Sequence, residues 1–416
     1  MRLAAVAFSL VLLGAACSGS PDGEVTVLVA GDPFELAAYR EVVEASGLPV
    51  RLIEVTDRDQ LIARLSTSIV AGDPPDLFLL NYRYHARFLA TGAVGPMQPF
   101  LDRSDVLAEG DFFPDVLEAF RDDGALTCLP QNAASLVVYY NQEIFASAGV
   151  PIPTSDWTWD EMVGRAQLLT QDRDGDEVVD VHGLGVEPEL IRITPLVWSA
   201  GSELVDREDA PTRFALANEE AVRAVQAFLD LRARFGVVPT DEEAASQDLE
   251  SRFLSGRLAM LIESRKVVPA LRTIDAFGWD VAPLPPIGEP ANVLHSDAYC
   301  MAAASDRKQA AFRFVEFALG PDGQRILAEA GRIVPVRPDV ATSEAFLGGE
   351  PASSEVFLDQ LASTRALPRV AAWPEIEDAA NVLIEEAFYD PTGGSEAAEL
   401  VLALMNETRS LFARDF

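Results

Sequence analysis

The stretch "VTVLVAGDPFELAAYREVVEASGLPVRLIEVTDRDQLIARLSTSIVAGDPPDLFLL", residues 25–80, decides the fold. "VTVLVA" (25–30) and "DLFLL" (76–80) are short apolar runs and "VRLIEV" (50–55) alternates. Between them Leu36, Tyr39, Val42 and Val43 recur at helical spacing, and a second helical pattern covers 60–70. The order β-α-β-α-β predicts a parallel sheet with helices on its faces. In such sheets ligands sit beyond the carboxyl ends of the strands. Here those ends are Asp32–Phe34, Thr56–Asp57 and Asn81–Tyr84.

Working outward, the chain has 416 residues, more than one hydrophobic core holds, so two lobes are expected. Lys and Arg number 32 against 66 Asp and Glu, a net charge of −34. Such a field repels nucleic acid and anionic lipid over about a Debye length, so neither is a partner and a monomer is expected. The first residues differ from all that follow. "MRLAAVAFSLVLLGAAC" has Arg2, an apolar run from Leu3 to Leu13, and Gly14, Ala15 and Ala16 before Cys17. This is the pattern of a signal peptide over 1–16, too short to span as a membrane helix. The small residues before Cys17 are similar to a bacterial lipobox, apart from Gly14 where leucine is usual. Cys17 is therefore read as lipidated and 17–24 as a polar tether, on the outer face of the membrane, extracellular or periplasmic. Plain signal-peptidase cleavage is the alternative. Cys128 and Cys300 fall in apolar runs, as two buried thiols or one disulfide.

The second lobe begins near "LPQNAASLVVYYN" (129–141), an extended run that crosses between lobes. Thr158 and Glu161 form a capping box, and Trp159, Met162, Val163, Ala166 and Leu169 share one helix face, so Trp159 is assigned to the core. Asn218 caps a helix with Glu219 and Glu220 in its first turn. "FGWDVAPLPP" (277–286) is a second crossing and "GRIVPVR" (331–337) a third. The division is 25–130 plus 284–333 for lobe 1 and 135–280 plus 337–416 for lobe 2.

Several stretches together resemble the extracellular solute-binding proteins of bacterial ABC importers, in the family of maltose- and oligosaccharide-binding lipoproteins. They are "GDPPDLFLLN" (72–81), "VVYYNQEIFASAGVPIPTSDWTWDEMVGRAQLLT" (137–170), "VWSAGSELVD" (197–206), "FLSGRLAMLIES" (253–264), "GWDVAPLP" (278–285) and "AAFRFVEFALGPDGQRILAEAGRIVPVR" (311–337). The resemblance implies an α/β, two-lobed periplasmic-binding-protein-like fold of type II, closing on a ligand between its lobes and delivering it to a permease. At "IESRK" (262–266) the family often has glycine and tryptophan, and Arg265 stands here instead.

Catalysis finds little support. His85, His182 and His295 are widely separated, and no HExxH helix, GxSxG elbow or phosphate loop is present. Two carboxylates suffice for a glycoside-cleaving enzyme, which stays as an alternative, as does a binder of ferric iron or a polyamine. Tyr139 and Tyr140 are adjacent on a strand and point to opposite faces, one near the cleft and one in packing. "QDRDGDEVVDVHG" (171–183) offers Asp172, Asp174, Asp176, the Val178 carbonyl and Asp180 as hard oxygen ligands for a structural Ca²⁺, with Gly175 at the turn. An acidic solvated turn is the competing assignment. A neutral mono- or oligosaccharide needs aromatic planes, and carboxylates, amides or Arg. The residues chosen for it are Phe34, Asp76, Tyr82, Asn132, Trp198, Arg265, Asp297 and Trp373, with Trp198 and Trp373 as the stacking platforms.

Overall fold

The computed structural model describes residues 23–390 and 396–415. The expected signal segment 1–16, Cys17 and the expected tether as far as residue 22 lie outside the described residues. Three strands, β1 (Val25–Ala30), β2 (Val50–Val55) and β3 (Leu77–Asn81), run parallel in the order β2-β1-β3. β3 is buried at every residue and β1 at most of them, so both read as unbroken apolar runs, while β2 is the half-exposed edge.

Helices α1 (Pro33–Ser46), α2 (Arg58–Ala71) and α3 (Tyr82–Ala90) each follow one of these strands. Each starts on a side chain that accepts a first-turn N–H: Asp32 from Phe34 and Glu35, Asp57 from Gln60, Asn81 from Arg83. α1 and α2 stop at Gly47 and Gly72, with φ of 61° and 75°, where a side chain would be strained. Three strand ends and three helix N-termini thus collect along one edge.

The sheet is mixed rather than wholly parallel. Strand Asp297–Ala302 returns to it antiparallel to β3, with Asp297 opposite Asn81, and strand Cys128–Pro130 pairs antiparallel on it. Cys128 stands opposite Cys300 and their sulfurs are bonded, which decides for the disulfide over two free thiols.

A second, three-stranded antiparallel sheet places Val137–Asn141 between Met260–Glu263 and Trp279–Pro283. Tyr139 and Tyr140 are both buried, in different apolar clusters on the two sides of this sheet. Three segments join the two sheets and pair with one another, Ala134 with His295 and Asn132 with Pro335, so the second crossing lies at His295 and not at 277–286, where Trp279–Pro283 is a strand of the second sheet. Helix Leu190–Ser199 is buried at every residue, so it has no amphipathic stripe. Helix Trp373–Phe388 packs on it, on helix Glu219–Ala233, and on α3 of the first lobe. The capping box of Thr158 and Glu161 forms, and Asn218 caps its helix. Among the described residues no helix is long and apolar enough to cross a membrane.

Candidate functional site

Between the lobes, two adjoining cavities of about 270 and 310 Å³ share Glu35, Arg58, Asn81, Lys266, Asp297 and Arg332 as walls. The first lobe supplies residues at or just beyond the ends of β1, β2 and β3: Asp32 and Glu35, Asp57 to Asp59, and Asn81, Arg83 and Tyr84. The crossing segments supply Asn132, His295, Asp297 and Arg332. From the second lobe come Glu189 and Arg192 at the start of helix Leu190–Ser199, Glu263, Ser264 and Lys266 at the end of a strand, and Glu377, Asp378 and Asn381.

Charge dominates these walls, with ten carboxylates against five cations. Each cation already has an acidic neighbour. Arg332 reaches Asp32 at 2.9 Å and Glu35 at 2.5 Å. Arg192 donates to Glu263 at 2.7 Å and Lys266 meets the same carboxylate at 2.9 Å. Arg83 pairs with Glu377, and Arg58 stands 3.9 Å from Asp297. Burial would raise the Glu263 carboxyl, but Arg192 and Lys266 outweigh it and hold the group well below its usual range. Burial wins at Glu35 and Glu377, whose carboxyls are raised in spite of Arg332 and Arg83. Asp378 is raised by burial and by the charge of Asp59 from the other lobe. His295 is pushed well down by burial and by Arg192 and Arg83, so its ring is neutral.

The residues chosen from the sequence divide sharply. Asn132 and Asp297 line the cleft together, and the Asn132 amide oxygen accepts the Asp297 N–H at 2.7 Å. Tyr82 lies beneath it, fully buried, its hydroxyl accepting the Leu367 N–H. Phe34 is exposed on the first turn of α1, outside both cavities. Asp76 precedes β3 and so lies at the opposite sheet edge, bound to Thr26, Ser305 and Arg307. Trp198 faces a separate crevice of about 300 Å³, covered by the Arg365 guanidinium 4.7 Å from its ring. Trp373 is wholly enclosed between Phe214 and Phe412, so it is core and not a platform. Arg265 is wedged between Phe346 and Phe357, and burial brings its guanidinium down to about 9. Its neighbour Lys266 reaches the cleft instead. Tyr139 and Tyr140 both stay out of it, so no phenolate pair is assembled for iron.

Arg192, Glu263, Lys266 and Arg332 escaped the sequence reading. The cleft's only phenol rings among the described residues are Tyr39 and Tyr84, and the Tyr39 hydroxyl is bound to Glu35 at 2.6 Å. In the acidic loop, carboxylate oxygens of Asp172, Asp174 and Asp176 lie within 4.8 Å of one another on the exposed surface. Asp180 instead accepts the Arg173 N–H, and Val178 donates its N–H to Asp176. No residue of this loop lines the cleft.

Two α/β lobes, three paired crossings and a polar cleft between them define a two-lobed binding protein. The family model described as bacterial extracellular solute-binding protein matches residues 35–325, and the chain belongs to that family. Its members bind solutes and are not enzymes, which removes the glycoside-cleaving alternative. The chain is 23% identical over 376 residues to a putative binding protein of Brucella abortus (strain 2308), covering 88% of each. It is 23% identical over 356 residues to the mannitol-binding protein of Pseudomonas aeruginosa, covering 82% of this chain and 80% of that one. Its fold matches that of an ABC substrate-binding protein from Listeria monocytogenes in complex with cycloalternan, with a TM-score of 0.85 and 21% identity over 94% of this chain and 99% of that one.

Proposed function

We propose that this protein is the receptor of an ABC importer for a small, neutral, hydroxyl-rich solute, a sugar or polyol. The observation that carries this is the cleft itself. Its cations are already paired, its amides at Asn81, Asn132 and Asn381 face the cavity, and it offers few aromatic planes. Paired charges and amides give and accept hydrogen bonds without demanding a net charge of the ligand. The mannitol-binding relative and the cycloalternan complex support the same class. The reading includes a monomer held outside the membrane by lipid on Cys17 and handing its ligand to the permease subunits.

A thermal-shift panel of sugars and polyols tests it. A true ligand at about 100 times its Kd adds roughly 2.7 kcal/mol and raises the melting temperature. Asp59 and Asp378 facing each other across the cleft favour a second reading, a cationic solute such as a polyamine. Spermidine therefore belongs in the panel, and a response to it alone overturns the first reading.

The acidic loop is assigned a structural role, as a weak Ca²⁺ clip remote from the ligand. Added calcium should raise the melting temperature with an affinity on the order of 10⁻⁴ to 10⁻³ M, and Asp174→Ala should abolish the rise. No calcium effect on wild-type protein makes it an ordinary acidic turn.

A further inference from the structure

We infer that Arg192 and His295 are the specificity-determining pair of the cleft, reading hydroxyl groups of a neutral ligand; this rests on the sugar or polyol reading above. Arg192 is only 5% exposed, yet it lines the cavity. Its Nη2 is engaged by Glu263, while Nε lies 3.8 Å from the nearest Glu189 oxygen, beyond a hydrogen bond. Among the described residues its Nε and Nη1 have no hydrogen-bond acceptor, and Nε2 of His295, on the same cavity, has no partner either. Buried donors left unsatisfied are costly, so these atoms mark where a ligand makes its polar contacts.

The chemistry of the pair selects the group it receives. Arginine only donates, whereas a neutral imidazole nitrogen donates or accepts according to its tautomer. A hydroxyl accepts from Arg192 and meets either tautomer of His295. A carboxylate or phosphate meets only the donating tautomer. It also enters a site where Glu263 already neutralises Arg192 and carboxylates exceed cations. An ammonium cannot accept from Arg192 at all. Set among these carboxylates, the pair therefore favours polyols and sugars over anions and cations.

The test uses titration calorimetry with D-mannitol, D-glucose and D-mannose as probes, beside glucuronate and glucosamine as the charged counterparts. Arg192→Lys keeps a cation opposite Glu263 but loses the planar donor set, and His295→Gln keeps polarity. With melting temperatures showing folded protein, each variant should lose about 10- to 100-fold in affinity for the neutral sugar that wild type binds. Wild type should bind the charged counterparts at least about tenfold more weakly. As a check that needs no folded variant, monodeoxy analogues of the bound sugar are titrated into wild type, and at least one should lose about 10- to 100-fold. Undiminished binding in both variants overturns the inference alone, as do preference for glucuronate or glucosamine, or deoxy analogues that all match the parent. If wild type binds none of the neutral probes, the sugar reading and the inference fall together.

Discussion

At the scale of single residues, Asp297 and Trp373 show how position overrules chemical suitability. Asp297 begins the strand that returns to the first sheet; its N–H is taken by Asn132, which leaves the carboxylate on the cleft wall. Asp297→Asn keeps the shape and the backbone bond while removing the charge. Affinity for the ligand should fall on the order of 10- to 100-fold, the worth of a charged hydrogen bond, with little change in melting temperature. Trp373 is the better sugar platform on paper, but its ring is sealed against Phe214 and Phe412. Trp373→Ala should therefore cost about 3–5 kcal/mol of stability in denaturant unfolding. A stable Trp373→Ala protein with lost binding would put the indole on the cleft after all.

At the scale of elements, what the sequence reveals depends on how an element is buried. β1, α1, β2, α2 and β3 are legible because apolar runs and helical spacing alternate, and Asp32, Asp57 and Asn81 mark both the strand ends and the helix starts. The first lobe's wall of the cleft follows from them. The second lobe's wall does not. Helix Leu190–Ser199 is buried all round, so Arg192 stands on no polar face, and strand Met260–Glu263 is buried at all four residues, so alternation gives no phase. At 262–266 the sequence points to Arg265, whereas Glu263 and Lys266 face the cavity. Trp373 was misplaced because its burial comes from Phe412, almost forty residues on, which no local pattern encodes.

Glu263 gives the strand end a pH signature. Because its folded carboxyl lies below the ordinary 4.5, the folded protein binds fewer protons than the unfolded chain at acid pH. Its stabilisation is complete above that ordinary value and is lost as pH falls below it. Glu35 and Glu377 act oppositely, since their raised carboxyls withdraw stability as pH climbs past 4.5. Glu263→Gln removes the carboxylate that Arg192 donates to, leaving it only the more distant Glu189 at 3.8 Å, and should cost about 3–5 kcal/mol near neutrality. In urea unfolding from about pH 7 to about pH 3, the gap between variant and wild type should narrow below 4.5, where the unfolded wild-type chain takes up a proton that the folded one does not. A gap that stays constant across that range would mean that Glu263 titrates normally.

At the scale of the whole molecule, the question is whether the lobes move. Three crossings paired through Ala134, His295, Asn132 and Pro335 form a narrow waist, where small dihedral changes rotate one sheet against the other. Against this, α3 is tied to helix Trp373–Phe388 by Arg83 with Glu377 and by Arg87 with Glu375 at 3.0 Å. The second pair is exposed and contributes little, whereas the first is buried and directional. A ligand that contacts both walls of the cleft shifts the population toward the arrangement in which the walls are close. Small-angle scattering of wild-type protein should therefore give a smaller radius of gyration with saturating ligand than without. Arg83→Ala should enlarge the radius of the free protein, because Glu377 then turns outward to water, and should weaken the ligand by the free energy needed to bring the lobes together again. A few kcal/mol of that kind corresponds to about 10- to 100-fold in Kd. If neither ligand nor Arg83→Ala changes the radius while binding persists, the waist is rigid and the solute enters a cleft of fixed width.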